Sequence, residues 1–462
     1  MEKLKTSRRH SQSRLGGLAL FCGLAALWLV LQAERMRLGI AWEDAYHHWL
    51  VAATIAQTGA DTDPLTGGRN GWLPLYHWLA AAVLSGAGWH NLRALEWFSA
   101  ALTLLTGGLL TWRWGPLWAA LFLFNPITVL NGSLSVSEPL ATLLVVAGIL
   151  CWEHGRAPFY ALTGGVFWSL GALCDRGSWP LVFLAAVWQL WWGDRVRAVG
   201  LLPLLALGTG LVLTRRDLTR TADWAAIDQG GLAWFDRLGQ LAAFSWQPLA
   251  LLLVLAYAGT LLYWRQLSDL TRLLALLCTG YLTVIFVLVG SGGLTGSSRY
   301  YLVLVALLTM LAASWAWASR SIAPVLGGLV CVALVLSSRQ YLDLWPRWVI
   351  LNRPSVEAGR WLARQAQQGF LLTDSPVIAY HSTWPTNRIS GSAATGGTLP
   401  IQTSYVTVIP DRRYERVYPL LGRYPSLLDG NTPPGWLRAW SDTDWTVRYG
   451  AKPVEVFKIG HH

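Results

Sequence analysis

The chain has 462 residues, of which 53% are hydrophobic and 13% charged, a balance that excludes an ordinary soluble globule and places it in the membrane class. Its net charge of +11 does not point to nucleic acid, because the basic residues are scattered over loop ends and form no stripe with interleaved aromatics. The five cysteines stand in or beside apolar runs without CxxC spacing, and they read as small hydrophobes.

In chain order, Lys3, Lys5, Arg8, Arg9 and Arg14 precede an apolar run at 15–33. A signal peptide shares this pattern, but the many runs that follow favour an uncleaved first span with its N-terminus in the cytoplasm, which makes residues from Glu34 extracytoplasmic. Further runs lie near 94–111, 117–131, 139–151, 158–174, 179–192, 198–213, 244–263, 273–290, 300–318 and 322–338. Several approach the ~20 residues that a bilayer requires, and the set predicts a polytopic α-helical membrane protein with about eleven transmembrane helices. The stretch GWLPLYHWLAAAVLSGAG at 71–88 is short for a span, contains Pro74 and His77, and reads as a helix lying on the membrane. Residues 34–93 are then the first extracytoplasmic loop, carrying interfacial helices. Many of the 29 tryptophans, among them Trp42, Trp72, Trp89, Trp112, Trp114, Trp152, Trp179 and Trp264, sit at run ends, where an amphipathic ring suits the interface.

After Ser338 the composition turns polar and no stretch can span, so residues 1–338 form the transmembrane domain and 339–462 an extracytoplasmic soluble α/β domain. There PSVEAGRWLARQAQQ at 354–368 has helical spacing with proline at its start. FLLTDS, YVTVIP, WTVRYG and PVEVFKI read as short strands between turns.

The segment that carries chemistry is WEDAYHHWLVAATIAQTG at 42–59. A helix here puts Asp44, His47 and His48 on one face by i, i+3 and i, i+4 spacing. A solvated polar face of an amphipathic helix accounts for that pattern as well. The adjacent acids Glu43 and Asp44 favour a functional reading, because carboxylates in a membrane protein are costly unless used or solvated.

At these residues the chain resembles the GT-C superfamily of membrane glycosyltransferases, which includes protein mannosyltransferases, aminoarabinose transferases and arabinofuranosyltransferases. In those families an acidic pair or Asp follows the first span, and a proline-containing segment comes after an interfacial helix. The matching positions here are Glu43, Asp44, Ala45, Tyr46, His47 and His48, then Pro74, Leu75, Tyr76 and His77. The chain departs in placing Glu before Asp and in lacking the W-W-D-Y-G motif that holds an asparagine sequon. A further acid of the family, at the extracytoplasmic end of a short span, is matched by Glu138 in NGSLSVSEPLATLL, where a plain helix start is an equal reading. Arg176 in LCDRGSWP and Arg299 with Tyr300 in TGSSRYYLV resemble the family's arginines at span ends. The glycine-rich run at 290–298 lacks the Lys of a P-loop and reads as a loop.

The resemblance implies sugar transfer from a polyprenyl-phosphate-linked donor to a lipid, glycan or protein acceptor, outside the plasma (inner) membrane. Asp44 is the expected general base, with Glu43 and Glu138 as the other catalytic acids. Tyr46, His47, His48, His77, Arg176, Arg299 and Tyr300 are the expected substrate-binding residues, the arginines because a planar guanidinium grips phosphate with two donors. A divalent cation on Asp44, Glu138 and His48 stays open, with Mg²⁺, Mn²⁺ or Ca²⁺ favoured by the carboxylates and Zn²⁺ by the histidines. A lipid-linked glycan ligase and a transporter or flippase of lipid-linked sugars are the alternatives. A transporter is disfavoured because the charges cluster at span ends instead of span centres.

Overall fold

The computed structural model describes residues 2–39, 41–68, 74–154, 157–174, 178–191, 234–291, 297–316, 328, 332, 344–411, 418–442 and 453–459. The helices run α1 (Glu2–Arg37), α2 (Glu43–Thr58), α3 (Pro74–Ala87), α4 (Leu92–Trp114), α5 (Pro116–Leu123), α6 (Pro126–Asn131), α7 (Glu138–His154), α8 (Pro158–Ala172) and α9 (Ser178–Trp191). They continue with α10 (Trp234–Leu262), α11 (Asp269–Gly290), α12 (Leu302–Ala316), α13 (Leu344–Ala363), α14 (Pro376–His381) and α15 (Pro419–Arg423). The strands are β1 (Phe370–Leu372), β2 (Ile389–Ser390), β3 (Thr403–Val408), β4 (Trp436–Asp442) and β5 (Val454–Ile459).

Among the described residues, four helical stretches are long and apolar enough to cross a membrane: Gly16–Arg37, Leu92–Trp114, Asp269–Gly290 and Ser298–Trp315. The expected run at 198–213 lies outside the described residues, as does 322–338 apart from Gly328 and Val332. The run at 117–131, expected as one span, is two helices. Asn125 ends α5 and caps α6, its Oδ1 accepting from the Ile127 amide at 3.0 Å, and Pro126 opens α6. A proline at that position supplies no amide to the preceding helix and so breaks the run. The 14 residues of α3 extend about 21 Å at helical rise, short of the ~30 Å hydrocarbon core.

Trp152, expected at the interface, is 1% exposed. It is half of a reciprocal lock. The Gly148 surface on α7 receives Trp168 of α8, the Gly164 surface on α8 receives Trp152, and the two indoles lie 5.1 Å apart. Each helix carries glycine four residues before tryptophan, so hole and knob share one face and two copies interdigitate. Trp112 and Trp264, also expected at the interface, are exposed at 65% and 45%.

The C-terminal sheet has the order β2-β1-β3-β5-β4, with β1 parallel to β2 and β3, and β5 antiparallel to β3 and β4. Strands expected at FLLTDS, YVTVIP and PVEVFKI appear as β1, β3 and β5, whereas WTVRYG lies outside the described residues. The helix expected to start at Pro354 starts ten residues earlier and carries Pro354 inside it. An interior proline removes one backbone bond, and here the loss is confined to one turn of a helix anchored on both sides of it. Asn352, two residues before, donates to the Ala41 carbonyl at 3.2 Å and ties α13 to the entry of α2.

The α7–α8 lock yields a stability test. Gly148→Ala puts a methyl into Trp168 and the Gly164 backbone, and overpacking of this kind should cost about 1–3 kcal/mol. Gly86→Ala, in open space on α3, should instead stabilise by up to about 1 kcal/mol through helix propensity. Thermal unfolding of the two variants in detergent should therefore move in opposite directions from wild type.

Candidate active site

The first loop orders itself through local chemistry. Trp42 is extended, Glu43 and Asp44 occupy the first turn of α2 where the helix dipole favours acids, and Gly59 closes the helix at φ 72° with its amide on the Ile55 carbonyl. Asp44 therefore projects from the start of α2. Glu138 opens α7 in the same way, at the end of the serine-rich turn 132–137.

Arg299 stands in the 3-10 turn Ser298–Tyr301 that leads into α12. Its Nη1 lies 2.7 Å from Asp44 Oδ2, its Nε lies 3.3 Å from Glu138 Oε1, and its Nη2 donates to the Tyr300 hydroxyl at 3.1 Å. The guanidinium also covers the Tyr300 ring, 5.0 Å from its centroid. Arg299 and Glu138 are buried, whereas the Asp44 side chain keeps 30% of its surface open. Two neighbours hold the turn in place: Asn131 donates to Ser298 Oγ at 3.1 Å, and Tyr281 donates to the Tyr300 carbonyl at 2.6 Å.

The two histidines of α2 separate. His48 is buried, with its Nδ1 2.8 Å from Nε2 of His77 on α3. The rings are near parallel with centroids 4.9 Å apart, farther than the bonded nitrogens, so they meet edge to edge through one N–H donor and one acceptor. Burial, then the charges of His77 and Arg299, hold His48 well below the usual imidazole range, and it stays neutral. His47 points instead to Asp63, Nε2 to Oδ2 at 3.1 Å. Burial pulls His47 down, but the Asp63 carboxylate, with Asp44 and Glu43, outweighs it and raises the imidazolium's pKa. Burial pushes Asp63 up, but His47 and the Leu65 amide at 3.0 Å bring it below the usual carboxylate range.

The structure thus brings Asp44, Glu138, Arg299 and Tyr300 together, with His48 and His77 beside them and Glu43 bearing on His47. Tyr46 turns the other way, 4% exposed, with its ring 5.3 Å from Tyr380 and 5.6 Å from His381 of α14. Arg176 lies outside the described residues. Among the described residues no three His, Cys, Asp or Glu side chains gather as a metal-ligand group. Asp44 and Glu138 meet a shared guanidinium and His48 meets His77, so this trio is not arranged as a ligand shell.

Sequence reasoning passed over Asp63, Arg35 and Glu96. Asp63 carried a signal in DPLTG, a turn whose aspartate binds its own backbone two residues on. Arg35 and Glu96 are charges in or beside apolar runs, and they form a buried pair at 2.9 Å.

No protein-family profile matches the chain, and no curated protein matches it. Solved structures do. ArnT from Cupriavidus metallidurans bound to undecaprenyl phosphate superimposes with a TM-score of 0.59 over 96% of this chain and 98% of that one, at 11% identity. The archaeal oligosaccharyltransferase AglB from Archaeoglobus fulgidus, in complex with an inhibitory peptide and a dolichol-phosphate, gives 0.53 over 88% and 71% at 11% identity. The apo form of the Archaeoglobus fulgidus oligosaccharyltransferase gives 0.52 over 85% and 69% at 10% identity.

The His47–Asp63 pair sets a pH test. The raised pKa of His47 contributes stability that is complete below the unfolded imidazole value near ~6.5 and is lost as pH rises through the folded value. The lowered pKa of Asp63 contributes stability above its unfolded value near ~3.9 and loses it as pH falls through the folded value. Wild type should therefore exceed Asp63→Asn in unfolding midpoint most between about pH 4.5 and 6.5, with a smaller margin at pH 9. An equal margin at both pH values would remove the charged pair.

Proposed function

The chain carries the GT-C membrane fold over nearly its whole length, and on that premise we propose that it is a glycosyltransferase. It moves a sugar from a polyprenyl-phosphate donor to an acceptor hydroxyl on the extracytoplasmic side of the membrane. The observation that carries this reading is Arg299 held between Asp44 and Glu138, a buried guanidinium reached by a partly open carboxylate. Proteins of the same fold are known with undecaprenyl phosphate and with a dolichol-phosphate bound, which supports a lipid phosphate as the group that meets this cation.

In the proposed step the acceptor oxygen attacks the anomeric carbon, and the bond from that carbon to the phosphate oxygen breaks. The acceptor proton passes to Asp44, and the electron pair leaves with the polyprenyl phosphate. Arg299 neutralises the leaving phosphate, and Glu138 keeps the guanidinium aimed while Asp44 engages the acceptor. Tyr300 flanks the guanidinium, and the buried His48 and His77 form the wall behind α2. Glu43 and His47 lie at the solvent side, where an acceptor would enter. A divalent cation on Asp44 and Glu138 would take the place that Arg299 occupies between them.

Purified protein with a radiolabelled polyprenyl-phosphate sugar should release polyprenyl phosphate. Asp44→Asn should slow release by at least about a hundredfold while the fold persists, since general-base catalysis contributes on that order. Arg299→Lys keeps the charge but loses the planar fork, and should weaken donor use about tenfold or more, a charged hydrogen bond contributing roughly 1.5–3 kcal/mol. Undiminished release by Asp44→Asn would sink the assignment of the base. Translocation of the intact donor without release would favour the transporter.

The side of the membrane has its own test. Ala87 is exposed at the end of α3, so Ala87→Cys should react with an impermeant thiol reagent applied to intact cells. Reaction only after permeabilisation would put this loop, and Asp44 with it, in the cytoplasm.

A further inference from the structure

The Arg35–Glu96 pair lies between α1 and α4, away from Arg299, and the proposed step does not use it. Both side chains are almost fully buried, at 0% and 5% exposure. A buried ion pair of this kind contributes little net stability, because desolvating two charges offsets most of their attraction. Its other hydrogen bonds are therefore informative, and three of them go to one residue. Arg35 Nη2 donates to the Ser133 carbonyl and to Ser133 Oγ, each at 3.1 Å, and Nε reaches the same hydroxyl at 3.3 Å. Ser133 in turn donates to Gln32, one turn back on α1, whose amide donates to the Val129 carbonyl at 3.1 Å.

Ser133 begins the turn that ends at Glu138. Further side-chain bonds tie the turn and its flanks to other elements. Thr103 of α4 donates to the Gly132 carbonyl, Tyr76 of α3 pairs with Ser135 at 3.2 Å, and Asn131 holds Ser298 beside Arg299. Gly132 itself has no room for a Cβ, which would stand 2.6 Å from the Thr128 carbonyl and 3.1 Å from Trp28. The turn is thus gripped from α1, α3 and α4 at once, and its last residue delivers a carboxylate to Arg299.

We infer that Arg35 is a positioning residue for Glu138, acting through Ser133 on the 132–137 turn so that the carboxylate meets Arg299. The inference rests on the transferase reading for its catalytic consequence. Its structural half stands on the hydrogen bonds alone. Glu96 holds Arg35 extended toward Ser133, so the two form one strut from α1 to the turn before Glu138.

Ser133→Ala removes the hydroxyl bonds to Arg35 and Gln32 while leaving the Arg35–Glu96 pair and the bond to the Ser133 carbonyl in place. Amide hydrogen exchange of residues 130–140 should quicken in this variant of the full-length protein. Its kcat should fall by about ten- to a hundredfold with donor KM unchanged, as displacement of a catalytic group by about 1 Å commonly does. A residue that served only stability would lower the unfolding midpoint and leave the kcat of the folded fraction alone. Arg35→Lys, which keeps the charge and loses the fork, should fall in the same direction. The double variant should be no worse than the poorer single, because both act through one contact. Unchanged exchange at 134–138 in Ser133→Ala overturns the positioning, and quickened exchange with full kcat overturns its catalytic consequence. Wild type that releases no polyprenyl phosphate fails the transferase reading, and the exchange result then decides the strut by itself.

Discussion

A guanidinium almost out of reach of water is tolerable only where carboxylates surround it, and Arg299 imposes that condition on the rest of the molecule. It draws its partners from two separate elements, Asp44 from the start of α2 and Glu138 from the start of α7. Two acids share this one cation, and Asp44 is the member that solvent still reaches. This is an asymmetric site, with a sealed cation and anion below and an accessible carboxylate above. An incoming phosphate would compete for the sealed cation, and an incoming hydroxyl would meet the open acid. One geometry therefore serves both halves of a transfer.

The helix that presents Asp44 is held from two sides. Toward the membrane, His48 pairs with His77, and Trp49 donates to the Trp89 carbonyl at 2.8 Å. Toward the C-terminal sheet, Tyr46 and Trp49 pack on Tyr380, and Gln57 accepts from the Thr386 hydroxyl. His90 is bonded to the Tyr380 carbonyl at 2.6 Å and stacks on its ring. Farther along the loop, Gly67 at φ 69° lies so close to 391–394 that a Cβ would come within 2.8 Å of Ala394. The Gly391 amide donates to the Pro64 carbonyl at 3.1 Å. A loop that would be mobile alone is thus clamped between the spans and the C-terminal elements. The C-terminal elements fix the helix that presents Asp44.

Likeness of fold at 11% identity over 96% of the chain shows how little of this architecture depends on particular apolar residues. Lipid-facing positions accept any residue of the right character, and the requirement that backbone polar groups be satisfied inside each helix does the rest. Polar residues are held more tightly, because each needs a partner at a defined distance. The serine-rich turn before Glu138 illustrates this, with Ser133 and Ser135 bonded to different helices.

Hydropathy alone determined the membrane class, the interfacial length of 74–87, and the polar C-terminal portion with β1, β3 and β5, since these follow from local composition and period. The acidic start of α2, Glu138 before its proline and the Arg-Tyr pair before α12 were equally legible, because charge at span ends is conspicuous against apolar surroundings. Their convergence was not. Whether Asp44 and Arg299 meet depends on how α2, α7 and α12 pack, and pairing across 255 positions leaves no trace in local spacing. Tertiary structure likewise divided His47 from His48, since neighbours one position apart on a helix point about 100° apart and met different partners. It took Trp152 from the interface into a glycine hole, because a knob is recognisable only when its hole is known. It also joined Arg35 to Glu96 and Ser133, for a buried charge announces that it needs a partner without saying which helix will bring it.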